Sequence, residues 1–166
     1  RTTLNGEGIQ HQDGHSQVMA STVPNLKSYD PAFAGELAII VRDGIRRMYT
    51  DQEKVFYYIT VYNENYPMPA VEDVDAIEEG VLRGLYCFAR SAVKDSSAPK
   101  VNLFGSGSIM TQVLEARDRL ESSGIRADVW SVTSYNELYR DAMDCERWNR
   151  LHPEDEPQLS FLERTL

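Results

Sequence analysis

The sequence predicts an α/β protein made of parts of two consecutive parallel-sheet domains, and three observations carry that expectation. Residues 55–62, VFYYITVY, are β-branched or aromatic almost throughout, the composition of a strand covered on both faces between layers of helices. Residues 32–49 place Phe33, Leu37, Ile40, Val41, Ile45 and Met48 at spacings of three and four, with Glu36, Arg42, Asp43, Arg46 and Arg47 over much of the remaining surface, the pattern of an amphipathic helix. Residues 100–143 read strand, helix, strand, helix, an order that favours parallel pairing.

Taken in order, the chain opens with RTTLNGEGIQHQDGHSQ (1–17), which gathers histidines and carboxylates among glycines and offers little to fill a core. It reads as a site, although a solvated connection has a similar composition. If the segment is extended, His11, Asp13 and His15 alternate with other residues and project from one face. A short strand is expected near residues 26–29, and Asp30-Pro31 then marks a turn or helix start, because proline tolerates the first helical turn. The strand at 55–62 is expected to be central in its sheet. NENYPMP (63–69) carries two prolines that end regular structure, and PAVEDVD (69–75) continues as an acidic connection. The expected organisation is therefore a first domain at 1–69, a linker with a short helix and strand at 70–99, and a second domain at 100–166.

Within the linker, Asp75 with Glu78 three residues on can cap a helix whose apolar side is Ile77, Val81 and Leu82, and Gly80 and Gly84 limit its length. Residues 85–89 suit a short strand, and SAVKDSSAP (91–99) a polar surface loop. Residues 100–104 read as a strand, GSGS (105–108) as a tight turn, and 109–122 as a helix with Ile109, Val113, Ala116 and Leu120 inward, stopped by Gly124. A strand at 127–132 follows, and Ser134 with Glu137 matches the capping box of a helix through 143. Residues 159–166 end in an apolar segment with no capping signal, and the chain reads as an internal stretch of a longer protein.

The formal charge of −9, from 26 acidic against 17 basic residues, opposes the cationic footprint that nucleic acids and anionic membranes require. No apolar run approaches the roughly 20 residues of a membrane span, and no secretory leader is visible, so a cytoplasmic protein is expected. Cys87 and Cys145 are too few and too far apart for a disulfide framework or a CxxC site and are expected as buried thiols in a reducing compartment. GSGS could expose backbone amides to an anion, but it lacks the GxGxxG spacing and the P-loop lysine, and a tight turn accounts for it as well. Residues 62–66 follow the strand at its carboxyl end, where open parallel sheets place ligands. His152, Trp130 and Trp148 suit packing or capping.

RTTLNGEGIQHQDGHSQ, PNLKSYDP (24–31), YYITVYNENY (57–66), GSGSI (105–109), WSVTSYNEL (130–138) and CERWNRLHP (145–153) together resemble the homodimeric pyruvate dehydrogenase E1 family, thiamine-diphosphate-dependent enzymes of the transketolase superfamily. The resemblance runs through the whole chain. It implies the end of a pyrimidine-binding domain followed by the start of a transketolase-like C-terminal domain. It also implies oxidative decarboxylation of pyruvate or a neighbouring 2-oxo acid, transfer of the acetyl group to the lipoyl group of an E2 acyltransferase, and pairing with a second E1 subunit. His15 matches the histidine that this superfamily presents to the reacting centre, where an imidazole can donate to oxygen or shuttle a proton. His11, Asp13, Gln17 and Glu7 are second candidates for orienting it or lining the pocket.

The resemblance also implies thiamine diphosphate with Mg2+ as cofactors, yet the activating glutamate of the family lies upstream of the matched region, so Glu7 does not take that role. The GDG motif that anchors diphosphate and metal is absent from these residues as well. Two other readings of the residues remain open. His11, Asp13 and His15 could converge on a transition metal in a hydrolase, or the chain could be a non-catalytic assembly module whose sheet edges and apolar surfaces take partners.

Overall fold

The computed structural model describes residues 13–62, 65–70 and 73–166. Two sheets organise them. The first pairs β1 (Leu26–Tyr29) in parallel with β2 (Phe56–Ile59), Leu26 opposite Phe56, and the connection between them is α2 (Ala34–Ile45) continued by a π-helical turn, Arg46–Thr50. The second has the order β3-β5-β4: β4 (Lys100–Gly105) runs parallel to β5 (Arg126–Val132) with α4 (Met110–Ser122) as the crossover. β3 (Leu85–Ala89), in the stretch that follows α3 (Val74–Arg83), pairs antiparallel with β5. A short α1 (Ser16–Ser21) precedes β1, and α5 (Tyr135–Leu151) and α6 (Phe161–Thr165) follow β5.

Local chemistry explains most boundaries. α3 is capped by Asp73, whose carboxylate accepts from the Ala76 N–H at 3.1 Å, so the expected cap at Asp75 is displaced by two residues and Asp75 falls in the first turn. Gly80 lies inside this helix. Gly84, in the left-handed region at φ 103°, ends it and turns the chain directly into β3. Ser134 caps α5 by accepting from the Glu137 N–H at 3.1 Å, but the reciprocal half of the box is not made. The Ser134 N–H already donates to the Gly84 carbonyl, and the Glu137 carboxylate turns instead to Lys27 and Arg140. α5 continues to Leu151, two turns past the expected end, because no helix breaker intervenes before His152-Pro153. The expected uncapped tail is in fact a capped helix: at α6 the Ser160 hydroxyl accepts from the Glu163 N–H while Glu163 accepts from the Ser160 N–H.

β2 is shorter than expected, and among the described residues it is not central. Among the described residues its one strand neighbour is β1, and Phe56 is 46% exposed. Its aromatic composition serves different ends on its two faces: Tyr57 stacks on Tyr29 beneath α2, whereas Tyr58 reaches Asp13 ahead of α1.

Three apolar clusters fill the interior. Tyr29, Ile39, Ile40 and Val81 lie between the first sheet, α2 and α3, and Leu85, Trp130, Val132 and Leu138 lie between the second sheet and α5. Ala32 and Phe33 from the first half pack with Met110 and Val129 from the second, so an apolar seam joins the two sheets.

Candidate functional site

The described part of the opening segment is not extended. The chain bends at residues 14–15 and enters α1 at Ser16. Asp13 therefore folds back on the helix: one carboxylate oxygen accepts from the Ser16 N–H at 2.9 Å and the other from the Tyr58 hydroxyl at 2.7 Å. The single face expected for Asp13 and His15 is not formed, because an aspartate three residues before the first residue of a helix is drawn to the unpaired amides of the first turn. His15 occupies the N-cap position, where its carbonyl accepts from the Met19 N–H and its ring makes no capping bond, and it is exposed. Gln17 donates from its side chain to the Tyr29 carbonyl at 3.2 Å. Glu7 and His11 lie outside the described residues. Among the described residues no group of three or more His, Cys, Asp or Glu side chains converges as metal ligands.

Gln17 also lines a crevice of about 300 Å³ at the carboxyl ends of β1, β4 and β5, together with Asp30, Ser106, Ser134 and Asn136. Asp30 organises its floor. The hydroxyls of Thr60 and Tyr62 donate to one of its oxygens and that of Ser106 to the other, at 2.9 Å for Ser106. Its N–H donates to the Thr133 carbonyl at 2.7 Å, and its carbonyl accepts from the Gly107 N–H at 3.1 Å. The GSGS turn thus spends its Ser106 hydroxyl on the Asp30 carboxylate and its Gly107 amide on the Asp30 carbonyl, which leaves it unsuited to an anion. Gly107 adopts φ 56°, and a Cβ there would sit 1.8 Å from the Tyr62 hydroxyl. Of the residues 62–66, Tyr62 reaches this floor and Tyr66 donates to the Ala32 carbonyl; Asn63 and Glu64 lie outside the described residues.

A larger groove, about 670 Å³, lies along α5 at Lys27, Arg83 and Asp141, but Lys27 is paired with Glu137 and Arg83 with Asp141, and it does not border the strand ends. The crevice at Asp30 is the better candidate on position and chemistry.

Sequence reasoning missed two groups here. Glu36 and Asp43, read as solvent-facing, are buried. Glu36 accepts from the Ala32 and Phe33 N–H groups, from the Tyr86 hydroxyl at 2.9 Å and from Ser131 at 2.6 Å, and burial pushes its carboxyl up despite those bonds. Asp43 accepts from Tyr57 and Arg46. Asn136 and Arg140, on α5, reach across to the segment that follows His15: the Asn136 amide donates to the Gln17 carbonyl at 2.8 Å and to the Ser28 hydroxyl at 2.6 Å, and Arg140 donates to the Val23 and Leu26 carbonyls at 2.7 and 2.6 Å. An acid three residues into a helix was the one local hint of Glu36, and Arg46 three residues on that of Asp43; Asn136 and Arg140 reach partners more than a hundred residues away, too distant in sequence to be inferred. Cys87 and Cys145 are free and half-buried, and burial raises the Cys87 thiol.

Residues 1–69 match the family model of the pyruvate dehydrogenase E1 component middle domain, and residues 84–164 that of the transketolase-like C-terminal domain. The chain is 52% identical over its full length to a pyruvate dehydrogenase E1 component from Pseudomonas aeruginosa, 50% identical to one from Escherichia coli and 48% identical to one from Cupriavidus necator. It spans 18% of the length of these relatives. Among solved structures, a transketolase variant from Pichia stipitis in complex with fructose 6-phosphate superposes on 82% of the chain with a TM-score of 0.57 at 18% identity, covering 18% of that protein. A second transketolase variant from the same organism superposes on 88% of the chain, covering 19% of that protein, also with a TM-score of 0.57 and 18% identity. These two establish likeness of fold.

Proposed function

Because the chain belongs to the pyruvate dehydrogenase E1 component family, through middle-domain residues 1–69 and transketolase-like residues 84–164, we propose that it forms part of an E1 subunit that oxidatively decarboxylates pyruvate on thiamine diphosphate and passes the acetyl group to the lipoyl group of an E2 acyltransferase. The observation that carries the reading is the placement of His15: an exposed imidazole at the start of α1, two residues before a side chain that lines the crevice at the strand ends. Pairing with a second E1 subunit, a cytoplasmic setting and a division into 1–69, 70–99 and 100–166 belong to the same proposal. No helix among the described residues is long and apolar enough to cross a membrane.

The described residues do not fit the diphosphate and Mg2+ ends of the cofactor. The crevice presents the Asp30 carboxylate where an anion would need amides or cations, and no metal-ligand group is formed among the described residues. The cofactor's anchors are therefore assigned to other parts of the E1 polypeptide. What this chain contributes is a proton at His15. Its ring can donate a proton to an oxygen of the bound 2-oxo acid and recover it from solvent, because the side chain is exposed. Asp13 and Gln17 act one step back, by fixing the turn that carries it.

The test is His15→Ala in the complete E1 polypeptide. Turnover with pyruvate should fall on the order of a hundredfold or more while thiamine diphosphate affinity changes little. Equal losses in turnover and affinity would overturn the assignment in favour of a structural histidine.

A further inference from the structure

α1 is too short and too poorly buried to hold itself in place. It has six residues, of which Ala20 alone is buried, and Val18 and Met19 are 67% and 68% exposed. A single isolated turn of helix is unstable in water. Its attachment is polar, and much of it comes from the other half of the molecule. The Asn136 amide donates one proton to the Gln17 carbonyl and the other to the Ser28 hydroxyl. The Arg140 guanidinium donates to the Ala20, Val23 and Leu26 carbonyls, closing the end of α1 and the connection into β1. Both side chains stand on the first two turns of α5, in the transketolase-like half. Glu137 beside them accepts from Arg140 at 3.1 Å and pairs with Lys27, which fixes the guanidinium. Ser134, the cap of α5, donates to the Ser28 carbonyl at 2.6 Å and ties the same helix start to β1.

We propose that Asn136 and Arg140 are positioning residues that set His15 from across the junction between the two halves. The inference rests on the reading of His15 as the proton donor and assigns its geometry to the second domain. His15 lies two residues before the Gln17 carbonyl that Asn136 holds, and its own carbonyl makes the first α1 hydrogen bond. A shift of α1 along β1 therefore moves the imidazole with it, and displacement of a reacting group by about 1 Å can cost on the order of a hundredfold in rate.

The discriminating variant is Asn136→Asp, which keeps the volume but replaces a donor of two hydrogen bonds by an acceptor facing the Gln17 carbonyl. In the complete E1 polypeptide its kcat with pyruvate should fall between about tenfold and a hundredfold. Thiamine diphosphate affinity should change less than about twofold, and the amides of Met19 and Ala20 should exchange with solvent about tenfold faster. In a His15→Ala background the same substitution should lower kcat no further, because it acts through the missing ring. Arg140→Lys, which keeps the charge beside Glu137 but cannot serve three carbonyls, should give the same pattern and serves if Asn136→Asp fails to fold. An equal loss of kcat with and without His15, or unchanged exchange at Met19 and Ala20, overturns the proposal. If His15→Ala itself keeps full turnover, the functional reading fails, and the exchange measurement still decides whether α5 holds α1.

Discussion

Glu36 gives the sharpest test of how the two halves are held together. Its carboxylate is fully buried and accepts four hydrogen bonds, two from the backbone of its own helix start and two from hydroxyls on β3 and β5 of the second sheet. Replacing it by Leu removes a buried charge, which is favourable, but strands four donors. A buried donor without a partner costs about 1–3 kcal/mol, so two amides at about 1.5 each and two hydroxyls at about 1 each sum to about 5 kcal/mol, and relief of the desolvated charge leaves a net loss of about 3–4 kcal/mol. Replacing it by Gln is different. The amide oxygen can take both N–H groups while the amide nitrogen donates to the Tyr86 and Ser131 oxygens, so Glu36→Gln should stay within about 1 kcal/mol of the parent. The pH dependence separates the parent from both variants. Burial raises the folded carboxyl above its unfolded value, so its contribution is fully present below the unfolded value near 4.5 and is lost as pH rises through the folded one. The Gln variant should therefore gain on the parent as pH increases. Urea unfolding of the chain at pH 5 and pH 8, followed by the near-ultraviolet signal of buried Trp130, measures both effects. Equal stability of the Leu and Gln variants would refute the reasoning, since it would mean that the four donors find other partners.

Asp128 should behave with the opposite sign. Burial pushes its carboxyl up, but the Ser91 N–H, Lys100 and Arg90 outweigh it and hold the group at about 2, so about 2 kcal/mol of stability is present above pH 4 and is lost as pH falls towards 2; an acid series of melting midpoints should show that loss in the parent and not in Asp128→Asn. Gly84→Ala should cost at least about 2 kcal/mol in thermal unfolding, because φ 103° is joined by a Cβ placed 2.3 Å from the Ser134 carbonyl oxygen, whereas Gly124→Ala, at φ 76° with nothing within 4 Å, should cost about 1. Ser160→Ala should cost about 1 kcal/mol and fray α6 alone, visible as faster hydrogen exchange at Glu163 and Arg164.

What was legible in the sequence is what local pattern dictates. The β4–α4–β5 unit, the helix stop at Gly84 and the Ser134 cap follow from periodicity and turn chemistry over a few residues. The second half of α5 was not legible because its outward face carries no apolar repeat, and α1 was not because a helix with one buried residue leaves no stripe to read. Glu36 illustrates the deeper limit. Its helical periodicity is that of a surface residue, and what buries it are Tyr86 and Ser131, 50 and 95 residues away. The candidate site divides in the same way: composition singled out the segment around His15, while Asp30 and the α5 side chains that complete its surroundings emerge only when the two sheets meet.

The seven residues from Asp30 to Glu36 explain why that meeting has a defined geometry. An apolar seam of Ala32, Phe33, Met110 and Val129 would by itself tolerate sliding, since dispersion contacts are non-directional. A carboxylate at either end of the same turn removes that freedom. Asp30 takes hydroxyls from Thr60 and Tyr62 on its own side and from Ser106 on the other; Glu36 takes amides from its own helix and hydroxyls from β3 and β5. Each therefore has partners in both halves, and a relative shift would break bonds at both ends at once. Buried acceptors of this kind add little net stability but penalise every wrong register. α1 benefits directly, because its holds come from Tyr58 on the first sheet and from α5 on the second, and both can act together only if the sheets keep their relation. A substitution in this turn should consequently alter the behaviour of His15 before it unfolds the chain.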